Sequence, residues 1–377
     1  MKWIKTGATI AQETLYSPNS SSVLSTLVDG KLTQKIEELI SRSVASDMLR
    51  IISPVIDDNE IVKQLCAARK RGVVVRVLTT LVDRHGIRTN GWDTSQNINA
   101  HEDSMRKLAR LAVLLCSPLT TPHGKLIHLS GKSAIFGSMN ISENSLRGHS
   151  RESGILIAAK DNLSNLEAAF DYIWNRSRFS MKHNNGEVIV EDRNPPKQSA
   201  GIISLVKSAC DGIQILISEP GDPSTCERLT ELVNKAQRKI TLVAMSLFDT
   251  NQIPKFGEAL LSALKRGVSV HAVVRQEHFK SAEQKGEYPD TGTKELLQNG
   301  MKLSGIEWMH AKGFLIDDTW CGIQSANFNP FSLNTSLPGC NVEMFMIGPP
   351  NQEPMREYAR FLNSLADNAT HLMTLEE

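Results

Sequence analysis

Apolar and polar positions along the chain follow the same order twice. Residues 49–56, LRIISPVI, form a short apolar run suited to a buried strand. Residues 59–72, NEIVKQLCAARKRG, then place Ile61, Leu65 and Ala68 on one helical face and stop at Gly72, and 73–80, VVVRVLTT, is β-branched and strand-like. The second half repeats this with KITLVAMSLF (239–248), IPKFGEALLSALKRG (253–267) carrying an apolar stripe at Leu260, Leu261 and Leu264, and VSVHAVVRQ (268–276). Both helices end in KRG, which suits basic side chains at a negative helix terminus and glycine beyond it. Each half therefore predicts a β-α-β unit with parallel strands, and the chain an α/β fold: two α-β-α sandwich lobes related by a pseudo-twofold, their mixed or parallel sheets packed together.

The Asn-, Gly- and Pro-rich stretch MKHNNGEVIVEDRNPPKQSAG sets the boundary. The expected division is a first lobe over 1–180, a linker over 181–200 and a second lobe over 201–377. Two polar segments, 83–104 and 277–292, follow the second strand of each half and read as loops flanking a shared cleft. They carry Trp92, Phe279 and Tyr288 among Arg84, Arg88, Lys280 and Lys285, a composition suited to stacking bases and contacting phosphates; Trp92, Arg88 and Lys280 are the substrate-binding candidates.

Composition narrows the class. With 377 residues, 40% hydrophobic and 22% charged, the chain can fill two cores of ordinary size. A formal charge of +1 is too small for a protein that merely coats nucleic acid, so such contact must come from a local patch. The opening MKWIKTGATIAQETLYSPNSSS has no apolar core of a leader, and no run of about 18 apolar residues appears, so a cytoplasmic location is expected. The six cysteines lack CxxC pairs and read as reduced, buried thiols.

The candidate chemistry lies in a second repeat. His123-Gly-Lys125 is followed by Ser138 and Asn140, and His310-Ala-Lys312 by Ser325 and Asn327, with 17 residues from histidine to asparagine each time. On a strand, a lysine two residues from a histidine faces the same way. An imidazole, an ammonium and an amide from each half, with the serine hydroxyls as further donors, make a set able to hold a phosphodiester. One histidine can attack while the other protonates the leaving oxygen, and two lysines and two asparagines meet the charge without a metal or cofactor. His128 is five residues from His123, on the opposite side of a strand, and does not make a metal pair with it.

This doubled pattern resembles the phospholipase D superfamily, whose signature is His-x-Lys-x4-Asp followed six residues later by Gly-Ser-x-Asn. The second copy matches at His310, Lys312, Asp317, Ser325 and Asn327, with Gln324 in place of glycine. The first matches at His123, Lys125, Gly137, Ser138 and Asn140, with Ser130 where the aspartate would stand. The resemblance implies a phosphohistidine intermediate, an active site complete within one chain, a supporting role for Asp317, and a glutamate after each asparagine. Glu152 and Glu343 stand 12 and 16 residues after theirs, and an imidazole is the natural partner for each. By analogy with two-lobed members, His123 is the expected nucleophile and His310 the acid.

The superfamily includes phospholipases, phospholipid synthases, nucleases and tyrosyl-DNA phosphodiesterases. Basic and aromatic residues near the expected cleft favour a nuclease or other nucleic-acid phosphodiesterase. A phospholipid hydrolase or transphosphatidylase is the alternative; it needs a membrane-contacting segment, and only MKWIK is a candidate. A scaffold with a decayed site is the third reading, motivated by Ser130 and Gln324.

Overall fold

The computed structural model of the chain describes residues 2–6, 23–25, 30–81, 95–148, 150–194, 212–277 and 288–374. The two predicted β-α-β units form as β3 (Met48–Ile52), α2 (Asn59–Lys70) and β4 (Val74–Leu78), and as β12 (Lys239–Val243), α7 (Phe256–Lys265) and β13 (Ser269–Arg275), each with parallel strands. Asp58 caps α2, its carboxylate accepting the Ile61 N–H. Gly72 and Gly267 follow the two helices at φ 93° and 86°, a backbone region that favours glycine. The arginines before them reach across to the preceding helix: Arg71 donates to the carbonyls of Ile40 and Ser43, and Arg266 to those of Val233 and Ala236. The apolar stripe of α2 is buried as predicted, whereas α7 buries Phe256, Ala259, Leu260 and Ala263 and leaves Leu261 and Leu264 partly exposed.

A third parallel strand joins each unit, β5 (Leu114–Ser117) and β14 (Lys302–Ile306). An antiparallel run completes each half: β6 (Leu126–Leu129), β7 (Ser133–Gly137) and β8 (Ser153–Ile157) in the first, β15 (Gly313–Ile316), β16 (Trp320–Gln324) and β17 (Glu343–Gly348) in the second. With β2 (Val23–Ser25), β9 (Phe179–Asn184) and β10 (Glu187–Asp192), the first sheet has nine strands in the order β10-β9-β5-β4-β3-β6-β7-β8-β2. The second, with β1 (Lys2–Lys5), β11 (Gln214–Ser218) and β18 (His371–Thr374), runs β1-β18-β14-β13-β12-β15-β16-β17-β11. Strand for strand the orders match, and both sheets are mixed.

Two features depart from the expected division. Met181–Asp192, expected as linker, belongs to the β9–β10 hairpin at the edge of the first sheet, because Val188 and Val190 share one face of β10 and pack on that lobe's core. Lys2–Lys5, expected in the first lobe, pairs with β18 in the second sheet, where it takes the position that β10 takes in the first. The expected polar loop over 83–104 also includes the start of α3 (Ser95–Arg110), whose Met105, Leu108 and Ala109 are buried.

Each lobe has an outer apolar core, and a central core fills the space between the sheets. That core takes Phe170 and Trp174 from α5 (Lys160–Arg176) and Tyr358, Phe361 and Leu362 from the last helix, Met355–Asp367, along with sheet residues such as Phe136 and Met344. Five cysteines, Cys66, Cys116, Cys226, Cys321 and Cys340, are buried and free; Cys210 lies outside the described residues.

Candidate active site

Both histidines precede the first strand of the antiparallel run in their lobe, and the backbone on either side of the lobe boundary is tied together there. The N–H groups of His123 and Gly124 donate to the carbonyl of Val342 (2.8 and 3.1 Å), and Val342 N–H donates to Thr121. The other half mirrors this: His310 and Ala311 donate to Arg151 (3.1 and 3.0 Å), and Arg151 N–H donates to Trp308. Val342 and Arg151 each precede a glutamate, so the ties set each histidine beside the other lobe's carboxylate. His123 Nδ1 lies 2.8 and 2.9 Å from the Glu343 oxygens, and His310 Nδ1 lies 2.7 and 2.8 Å from those of Glu152.

Nδ1–H is the donor to each carboxylate, which leaves Nε2 of each imidazole available for chemistry. Both glutamate side chains are fully buried, whereas the histidines keep 14% and 12% of theirs exposed, so one edge of each ring is open. Burial pushes both imidazoles toward the neutral form, with His310 falling to about 4, against the pull of the carboxylates. Burial would raise Glu343, but His123, Lys125 and the Ser325 hydroxyl together bring it down to about 2. Glu152 is lowered against the same burial by His310, Lys312 and Ser138.

Lys125 and Lys312 are wholly buried, and each ammonium donates to the carbonyl of its own motif's histidine (2.6 and 2.9 Å). Their other N–H groups have no protein acceptor among the described residues. Burial depresses Lys125 to about 7 and Lys312 to about 8, with the two glutamates opposing the shift. Two concentrated, poorly solvated positive charges of this kind suit an incoming anion, which restores their protonated forms.

Asn327 Oδ1 accepts the Ser246 N–H (3.3 Å), which leaves the amide nitrogen as its free donor; Asn140 lines the cleft in front of His310. The serines do a different job from the one expected. Ser138 Oγ donates to Glu152 (2.6 Å) and accepts Ser153 N–H, and Ser325 Oγ donates to Glu343 (2.5 Å) and accepts Met344 N–H. Their hydroxyl protons orient carboxylates and are not available to phosphate.

Asp317 is likewise not at the chemistry. It sits in the turn between β15 and β16 and accepts the backbone N–H groups of Gln237, Arg238 and Lys239 (2.6, 2.8 and 2.8 Å), fixing the start of β12. Ser130, its counterpart, hydrogen-bonds Arg50, which also pairs with Glu167. Gln324 is buried, and its amide donates to the Ala326 carbonyl (3.0 Å). The two departures from the motif therefore leave both His-Lys-Asn sets in place. His128 is buried on β6 and takes no part in the site.

Of the loop candidates, Trp92, Arg88 and Lys280, with Arg84, Phe279 and Lys285, lie outside the described residues. Tyr288 belongs to the second lobe's core, with its hydroxyl directed at the Leu247 carbonyl, and is not a stacking surface. Several contributors were missed by the sequence reading. Ser332 and Asn341 donate to Glu343 (2.9 and 3.3 Å), and the buried Tyr358 hydroxyl bridges the Lys312 carbonyl (2.9 Å) and Ser153 Oγ (3.0 Å) across the lobe boundary. No short motif marks them; only the repeat's symmetry pointed to a shared boundary.

A cleft of about 540 Å³ opens in front of His310. Its lining is mostly polar, with Asp57, Asn59, Asn140, Ser142, Asn144 and Arg275 among the contributors.

Two such lobes, with paired His-x-Lys motifs meeting at their boundary, define a phospholipase D-like protein. The family model described as cardiolipin synthase, PLD-like domain, matches the chain twice, over residues 36–174 and 229–365, and the chain belongs to that family. No curated protein sequence matches it. Among solved structures, phosphatidylserine synthase from Haemophilus influenzae Rd KW20 is similar at 14% identity and a TM-score of 0.58, over 94% of this chain and 88% of that one. Polyphosphate kinase from Porphyromonas gingivalis is similar at 15% identity and a TM-score of 0.57, over 94% of this chain and 52% of that one. At these identities the likeness concerns the fold.

Proposed function

We propose that the protein is a phosphodiesterase that acts on nucleic acid through a phosphohistidine. The observation that carries the chemistry is the crossed arrangement of His123 with Glu343 and His310 with Glu152. His123 Nε2 attacks phosphorus while the bond to the leaving oxygen breaks, and His310, which enters this step as the imidazolium stabilised by Glu152 with protons on both Nδ1 and Nε2, gives that oxygen its Nε2 proton. Water then attacks the phosphohistidine, His310 takes the water's proton, and His123 is released. Lys125, Lys312, Asn140 and Asn327 hold the non-bridging oxygens throughout.

The polar lining of the cleft favours nucleic acid over acyl chains. A phospholipid substrate is the second reading: Leu119, Trp308 and Phe331 are exposed apolar residues, and the first two stand four and two residues before the histidines. Purified protein incubated in EDTA with labelled single-stranded DNA, duplex DNA, RNA and phospholipid vesicles separates the two. Strand cleavage without lipid turnover is the expected result, and the reverse overturns the nucleic-acid assignment.

A further inference from the structure

Trp308 is an unusual residue to find beside a catalytic histidine. The residue is 40% exposed, and its backbone lies in the left-handed region at φ 59°, uncommon for a side chain of this size. Glu277 holds that conformation, its carboxylate oxygens accepting the Trp308 N–H (2.9 and 3.1 Å). The Arg275 guanidinium stands 4.9 Å from the ring centroid and also lines the cleft with His310 and Asn140. Arg151, whose backbone binds both Trp308 and His310, has Nη1 buried with no hydrogen-bond partner among the described residues. The corresponding position in the first lobe is Thr121, so the surroundings of the two histidines differ: an aromatic ring and two arginines gather beside His310, with Glu277 3.7 Å from Arg275.

Resting on the nucleic-acid reading above, we infer that Trp308 and Arg275 form a nucleotide clamp, in which the exposed part of the Trp308 ring stacks an unpaired base and Arg275 takes the phosphate next to the one being cleaved. Base stacking needs a flat ring held in one orientation, and Glu277 supplies that restraint. A guanidinium already beside the ring is placed to meet a neighbouring phosphate. The substrate is then a strand with at least one unpaired nucleotide flanking the cleaved bond. Seating the same ring in a bilayer would require desolvating Arg275 and Glu277, which argues against a membrane anchor.

The test compares kcat/KM for a single-stranded 12-mer with that for bis(p-nitrophenyl) phosphate, which has no base and no second phosphate. In Trp308→Ala the ratio should fall about tenfold, and in Trp308→Phe it should largely recover. Arg275→Gln should lower it for the 12-mer and flatten the salt dependence of its KM. The wild type should prefer the single strand to a blunt duplex. An unchanged ratio in Trp308→Ala, with the wild type cleaving the 12-mer, overturns the clamp alone. Turnover of bis(p-nitrophenyl) phosphate with no cleavage of any oligonucleotide overturns both the clamp and the nucleic-acid reading. Loss of binding to anionic phospholipid vesicles in Trp308→Ala, with strand cleavage intact, assigns the ring to lipid instead.

Discussion

His123 of the first lobe donates its Nδ1–H to Glu343 of the second, 220 residues away, and His310 returns the relationship with Glu152. Neither lobe holds a complete histidine–carboxylate pair. The duplication thus does more than double a site: each half supplies the group that orients the other half's imidazole. Separating the lobes would strip both histidines of their carboxylates at once.

Glu343→Gln should lower kcat by about a thousandfold while leaving KM for a small phosphodiester within a few fold. An amide can satisfy Nδ1 in either tautomer and no longer stabilises the imidazolium, the type of loss that costs about four orders of magnitude in serine protease triads. Steady-state kinetics on bis(p-nitrophenyl) phosphate check this. A variant with near-normal kcat would show that the carboxylate is only structural.

Asp317→Asn should behave in the opposite way. Its carboxylate anchors three backbone N–H groups at the start of β12 and does not reach the histidines. Thermal unfolding should report a loss of about 1–2 kcal/mol, with kcat unchanged. A large fall in kcat at normal stability would return Asp317 to the active site.

The lysines set a pH dependence. Folding burial lowers Lys125 to about 7 and Lys312 to about 8, from an ordinary value of 10.5. The unfolded chain therefore holds protons that the folded protein sheds above about 7, and these two groups make stability rise with pH from there to about 10. Anion binding has the opposite sign, because a bound anion needs the ammonium forms. Inhibition by tungstate should weaken by about tenfold per pH unit between 7 and 8, where Lys125 alone must regain its proton, and by up to about a hundredfold per unit above 8, where both lysines must. A constant flat from pH 6.5 to 9.5 would show that the lysines do not meet the anion.

Activity should persist in EDTA, since Lys125, Lys312, Asn140 and Asn327 meet the phosphoryl oxygens in this scheme. Complete loss on chelation, restored by magnesium or manganese, would assign the chemistry to a metal.

The elements that showed in the sequence were those whose pattern is local. Ile61, Leu65 and Ala68 recur at helical spacing, the strands around them are β-branched, and two glycines stop two helices, so both β-α-β units could be read. The paired His-x-Lys motifs stood out by their repeat with equal spacing, although each lies in the segment just before a strand and not on it, so the same-face argument for histidine and lysine does not apply. What escaped depends on distant partners. Lys2–Lys5 carries no sign that it closes the second sheet, since its partner β18 lies at the other end of the chain. Glu152 and Glu343 were visible as partners for imidazoles, but spacing alone could not say that the pairing crosses between lobes. Tyr288 was misread because an aromatic in a polar stretch looks solvated until the core that receives it is known.

The division of labour between the histidines is the central claim, and trapping the intermediate tests it most directly. Wild type, His123→Asn and His310→Asn would be quenched during turnover of a labelled phosphodiester whose good leaving group needs no acid. The account predicts an acid-labile, alkali-stable label on His310→Asn and none on His123→Asn. Label on His123→Asn alone would reverse the roles, and full turnover by both variants would contradict a two-histidine site.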